Sequence, residues 1–146
     1  EAALVSDAQV VYDHVAARHH GVAVIGRSLG SGVATALAAS RPVERLVLVT
    51  PFDSIANVAA DHSSWLPVRW LVRDRYDSAR RIGRVRAPVL VVVAEHDEVI
   101  YRARSDALIA AIASDARVLV LPGATHDDVS AFPAYVRGMK DFVAGR

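Results

Sequence analysis

The sequence predicts an α/β fold: a parallel sheet of about four strands flanked by helices. Three observations carry this. Short apolar runs rich in β-branched residues stand at residues 22–25, 45–49, 89–94 and 117–121, with the length and composition of buried strands. Between them lie segments long enough for helical crossovers, the pattern of parallel strands with right-handed connections. Hydrophobic residues make up 53% of the 146 and charged residues 23%, a balance that suits a sheet covered on both faces.

Taken in order, residues 4–19 read as an amphipathic helix with Leu4, Val5, Ala8, Val11, Tyr12 and Val15 on one stripe, stopped at His20-Gly21. Residues 22–25 read as a strand buried on both faces. The chain then turns around one serine and restarts as a helix over 31–40, where Gly32, Ala34, Ala36, Ala38 and Ala39 permit close packing on a sheet. Arg41-Pro42 ends that helix, and a second buried strand over 45–49 leads to Thr50-Pro51. A long insertion, residues 51–86, interrupts the alternation and holds both tryptophans, Trp65 and Trp70. Within it Pro67 is placed to open a short helix carrying Trp70 and Leu71, and Asp77 to cap another running to Ile82. After Pro88 come a strand over 89–94, the acidic loop Glu95-His96-Asp97-Glu98, a helix over 102–113, a strand over 117–121 and the loop Pro122-Gly123-Ala124-Thr125-His126. A last helix covers 133–143. The length suits one domain over 1–146, with 51–86 as a cap-like insertion.

Composition removes several function classes. A formal net charge of +1 gives no electrostatic case for nucleic acid. Of the 17 basic residues only Lys140 is lysine, which reads as a genomic bias before any function. The Arg-rich run from Arg69 to Arg86 reads as a solvated face, with a membrane surface the less favoured partner. Without cysteine there is no disulfide framework, thiolate metal site or cysteine nucleophile. No apolar run approaches membrane-spanning length and no signal peptide is visible, which favours a cytoplasmic location. The reading calls for no cofactor and no metal: His96, Asp97, His126 and Asp127 lack any metal-ligand spacing.

The chemistry gathers at strand ends. Gly26-Arg27-Ser28-Leu29-Gly30 fits G-x-S-x-G, a sharp strand-to-helix turn that lifts a serine above the sheet. The helix after it points free N–H groups and its positive dipole end at the turn, where an oxyanion would form. In a parallel sheet, ligands bind outside the carboxyl ends of the strands. Three such ends carry a suitable polar group: Ser28, Asp97 and His126, in the chain order expected when this turn builds a hydrolase triad. Ser28 needs a base, His126 supplies one, and Asp97 orients the imidazole. Glu95 and Glu98 are rivals for the acid.

On these residues the chain resembles the α/β-hydrolase superfamily along essentially its whole length. Residues 26–32 resemble the nucleophile elbow, 88–97 the strand-and-acid segment and 121–126 the histidine loop. Thr50-Pro51-Phe52-Asp53-Ser54-Ile55 resembles the branch with small caps related to serine aminopeptidases and acyl-protein thioesterases, although Tyr101 stands where that branch commonly has proline. The resemblance implies that Ser28, Asp97 and His126 are the triad and that the Leu29 backbone N–H is one oxyanion donor. It implies a cap over an acyl pocket touching Phe52, Trp65, Trp70 and Val99, and a small-molecule or acyl substrate. Members of the family have further strands before the elbow, and a loop there supplies the second oxyanion donor. The chain is therefore expected to be the C-terminal part of such a hydrolase, impaired alone. Its elbow strand would be covered by the remainder of the fold or by self-association.

Two other readings remain. Gly26-x-x-x-Gly30-x-Gly32 with Asp53 downstream also resembles the nucleotide site of short-chain dehydrogenases. That reading needs Tyr-x-x-x-Lys, and four residues before Lys140 stands Val136. A non-catalytic binding or assembly module of the same fold is the second.

Overall fold

The computed structural model describes residues 1–63 and 71–146. Four parallel strands form one sheet in the order β1-β2-β3-β4: β1 Ala23–Arg27, β2 Arg45–Val49, β3 Val89–Ala94 and β4 Ala116–Leu121. The helices are α1 Ala2–Ala16, α2 Leu29–Ala38, α3 Ile55–His62, α4 Ser78–Ile82, α5 Arg102–Ile109 and α6 Pro133–Val143, with a short 3-10 turn at Val129–Ala131. Each crossover, including the long one over residues 50–88, returns the chain beside the strand it left, so spatial order follows chain order.

Alternate residues of the central strands face opposite layers, as a period of two requires. Leu46, Leu48, Val89, Val91 and Val93 pack under α1, α2, α4 and α5 with Tyr12, Leu37, Ile82 and Leu108. Val47, Val49, Leu90, Val92 and Leu121 face α6 and its Phe142. β3 is buried at every position, which explains its unbroken run of valines. A third cluster, Phe52, Tyr76 and Ile100, sits with Val33 and Ile55 beyond the carboxyl end of the sheet.

Several expectations from sequence need correction. β1 is not buried on both faces: it is an outer strand, and Ile25 is 53% exposed. Along α1, Leu4 and Val11 are exposed, and the inward stripe is Ala8, Tyr12 and Ala16. The elbow helix begins at Leu29 rather than residue 31. α5 ends at Ile109, where Ala111 and Ile112 donate to carbonyls only three residues back. α3 had no counterpart in the sequence reading; its cap is Ser54, whose Oγ accepts from the Asn57 N–H at 3.2 Å. Asp77 precedes α4 but makes no capping hydrogen bond. The helix expected after Pro67 lies outside the described residues.

Close packing of α2 on β1 positions the elbow. A Cβ on Gly26 would strike the Gly30 carbonyl and stand 2.6 Å from Ala34 Cβ, and one on Gly32 would stand 2.9 Å from the Tyr76 ring. A Cβ on Gly30 meets nothing within 4 Å. Gly26→Ala should therefore destabilise by roughly 1–3 kcal/mol through overpacking, whereas Gly30→Ala should be neutral or slightly stabilising. Urea midpoints check this; equal midpoints for the two variants would refute the packing argument.

Arg41 ties the end of α2 to α1, donating from Nε and Nη2 to Asp13 at 2.7 and 2.9 Å. This hydrogen bonding holds the Asp13 carboxyl below its ordinary value. With the folded value below the unfolded one, the contribution is present above about pH 4 and is lost as pH falls through the folded value. Asp13→Asn should lower the melting temperature slightly at neutral pH and converge with the unsubstituted protein in acid. A gap that persists in acid would exclude the carboxylate as its cause.

Candidate active site

Ser28 sits between the end of β1 and the start of α2 with φ 49° and ψ −123°, a conformation that side chains rarely adopt. Its N–H donates to the Val49 carbonyl at 3.0 Å, and its own carbonyl accepts from the Ser31 N–H at 2.9 Å, so both sides of the strained residue are anchored. Leu29 and Gly30 open α2, and their N–H groups are among the first of the helix, which no preceding turn can satisfy.

The three polar residues from separate strand ends meet. His126 Nε2 lies 3.0 Å from Ser28 Oγ, and His126 Nδ1 lies 3.0 and 2.9 Å from the two Asp97 carboxylate oxygens. A carboxylate only accepts, so Nδ1 carries the proton and Nε2 is left with a lone pair facing the serine hydroxyl. Asp97 Oδ1 also accepts from the Val99 and Ile100 N–H groups at 3.0 and 2.7 Å, which fixes the carboxylate on its loop. The Asp97 side chain is 4% exposed and His126 is buried, while Ser28 is half-buried and reachable from solvent.

The rival acids have other work. Glu95 Oε2 accepts from the Gly123 N–H at 2.8 Å, and Glu98 Oε2 lies 3.5 Å from the His126 N–H. Both hold the histidine loop, whose Gly123 needs a positive φ of 75°. The backbone adds a bond from the His96 N–H to the Ala124 carbonyl at 2.8 Å, and Asp128 Oδ1 accepts from the Thr125 N–H at 2.8 Å. Sequence reasoning missed one further contact: Arg27, inside the elbow motif, donates from Nη2 to the His126 carbonyl at 2.8 Å. Its partner is a backbone atom far along the chain, so no sequence signal marks it.

The pocket residues fare differently. Phe52 has no exposed surface and fills the cluster beneath α2 with Tyr76 and Ile100, so it is core here and offers a substrate nothing. Val99 is exposed, with its N–H on Asp97 and its carbonyl 2.8 Å from His62 Nε2. Trp65 and Trp70 lie outside the described residues. Asp53, the acid the dehydrogenase reading would use, is buried and bonds to Asn57 and, at 3.4 Å, to Arg104 rather than facing the elbow. Among the described residues no helix is long and apolar enough to cross a membrane.

Comparison with known proteins follows the same lines. No family model matches the chain. An uncharacterised protein of Mycobacterium tuberculosis is 46% identical over 107 residues, covering 73% of this chain and 38% of that protein. The alpha/beta hydrolase domain-containing protein aho-3 of Caenorhabditis elegans is 28% identical over 122 residues, covering 84% of this chain and 36% of that protein. Among solved structures, an acetyl xylan esterase from Paenibacillus sp. R4 superposes with a TM-score of 0.76 at 19% identity, over 94% of this chain and 50% of that one. The fold is that of an α/β-hydrolase. The chain spans well under half the length of the two curated relatives.

A proton held between His126 Nδ1 and Asp97 should give a low-field proton resonance in NMR spectra. Asp97→Asn should remove it and Glu95→Gln should keep it. The reverse pattern would assign the acid to Glu95.

Proposed function

We propose that this chain carries the triad of a serine hydrolase acting on a carboxylic ester, thioester or related acyl substrate. The observation behind the proposal is the continuous relay Ser28 Oγ–His126 Nε2, His126 Nδ1–Asp97, with every link between 2.9 and 3.0 Å. Ser28 Oγ attacks the acyl carbon as His126 Nε2 takes the hydroxyl proton; the tetrahedral oxyanion forms opposite the Leu29 N–H at the α2 N-terminus. Collapse breaks the bond to the leaving group, which receives the proton from His126 and departs. Water then attacks the acyl-enzyme as His126 accepts its proton; the acyl–Oγ bond breaks, His126 returns that proton to Ser28 Oγ, and the acid is released. Asp97 keeps the imidazole in the productive tautomer and stabilises its charged form. That the structural neighbour is an acetyl xylan esterase agrees with this class of reaction without fixing the substrate.

A second oxyanion donor is proposed to come from the part of the relatives' length that this chain does not span; lacking one donor costs about 2.7–4 kcal/mol of transition-state stabilisation. The same part is the proposed cover for the outer edge of β1, where Ile25 and Leu29 are exposed.

A fluorophosphonate probe should label the intact protein at Ser28, located by peptide mass spectrometry, and Ser28→Ala should abolish both labelling and turnover of p-nitrophenyl butyrate. Unchanged esterase activity in Ser28→Ala would sink the assignment. An unreactive intact protein would favour the binding-module reading.

A further inference from the structure

Arg27 occupies the variable position of the elbow motif immediately before the serine, and its guanidinium reaches back over the site. Nη2 donates to the His126 carbonyl at 2.8 Å and to the Asp127 carbonyl at 3.3 Å, and the same nitrogen is 3.9 Å from the Asp127 carboxylate. The side chain is partly exposed and makes no other hydrogen bond among the described residues. We infer that Arg27 is a positioning residue that ties the histidine loop to the nucleophile elbow, holding His126 Nε2 at its hydrogen-bonded distance from Ser28.

The argument is geometric. Ser28 and His126 lie 98 residues apart and are joined directly by one hydrogen bond. On the acid side the histidine loop is held by Glu95, Glu98 and the His96 N–H. Those contacts tie it to the loop after β3, and none of them reaches the end of β1. Arg27 closes that gap from the residue adjacent to Ser28, so the two reacting side chains belong to neighbouring residues of one hydrogen-bonded ring. Arginine suits the task because the two hydrogens of Nη2 point in directions fixed by the guanidinium plane, and this one nitrogen reaches two successive carbonyls. Lysine offers a compact ammonium on a flexible stem, and glutamine offers a shorter, uncharged donor. Since the acceptors are main-chain carbonyls, the bond depends on where the loop lies and not on the side chain at residue 127.

This inference rests on the serine hydrolase reading, and its test separates the two. The intact protein and its Arg27→Lys and Arg27→Gln variants are compared by the saturating rate and the half-saturating concentration of fluorophosphonate reaction at Ser28, with melting temperature as the check on folding. Loss of a charged hydrogen bond that positions the base predicts a drop of about ten- to a hundred-fold in the saturating rate for Arg27→Gln. The half-saturating concentration should stay within a few-fold, and Arg27→Lys should restore part of the rate. A reactive intact protein whose Arg27→Gln variant reacts equally fast overturns this inference and leaves the hydrolase reading standing. An Arg27→Gln variant that folds but changes only its half-saturating concentration also overturns it, because that outcome makes Arg27 a binding group. An intact protein inert to the probe overturns both.

Discussion

The site depends on one close approach, that of the first turn of α2 to the end of β1 at Gly26. With no side chain there, the Gly30 carbonyl and Ala34 come within contact of the Gly26 backbone, and the chain must reverse within one residue. That residue is Ser28, held at φ 49°. Such a conformation costs on the order of 1–3 kcal/mol and persists only where the surroundings leave no alternative. They leave none here: the Ser28 N–H extends the β1–β2 ladder to Val49, its carbonyl starts α2, and α2 is buried along most of its length. Strain at the serine is offset by the sheet and the helix on either side.

How much of this was legible depended on whether a feature is local. The elbow shows in sequence because strand, glycine, serine and small-residue helix are consecutive, and the requirements of the turn fall within a few residues of it. Asp97 and His126 were legible because each follows an apolar run with strand character, so their level above the sheet is set by strand length. Arg27 and Glu95 were not, since each grips a backbone N–H or carbonyl on the histidine loop, and backbone groups carry no residue type to recognise. The burial of β1 was misread for a related reason. Its composition states a preference for burial, but whether a neighbour satisfies it is a property of the assembled sheet, and among the described residues Ile25 stays exposed on the outer strand.

Phe52 shows the same limit from the opposite direction. An aromatic residue just beyond a strand end in a polar insertion has the profile of a pocket wall. The chain instead turns inward at Thr50, a second positive-φ residue, and carries Phe52 into the space left by Gly32. A glycine twenty residues earlier in the chain thus decides the fate of the aromatic ring, and no pattern within the insertion contains that information.

Register links the sheet to the chemistry. Arg27 pairs with Val49 and Val49 with Val92, while Ala94 pairs with Leu121, so the elbow, the acid loop and the histidine loop leave at fixed heights. A slip of one residue would move one strand by about 3.3 Å and exchange the side chains it sends to the two buried layers. That displacement is as large as the 3.0 Å separation between Ser28 Oγ and His126 Nε2, so no one-residue error is compatible with the relay. The alternation that sends Leu46 and Leu48 to one layer and Val47 and Val49 to the other is what forbids the slip. The valine-rich core therefore sets the position of Ser28, Asp97 and His126 as well as the stability of the fold, and a core substitution that loosened the β2–β3 pairing would reach the site through register before it reached it through unfolding.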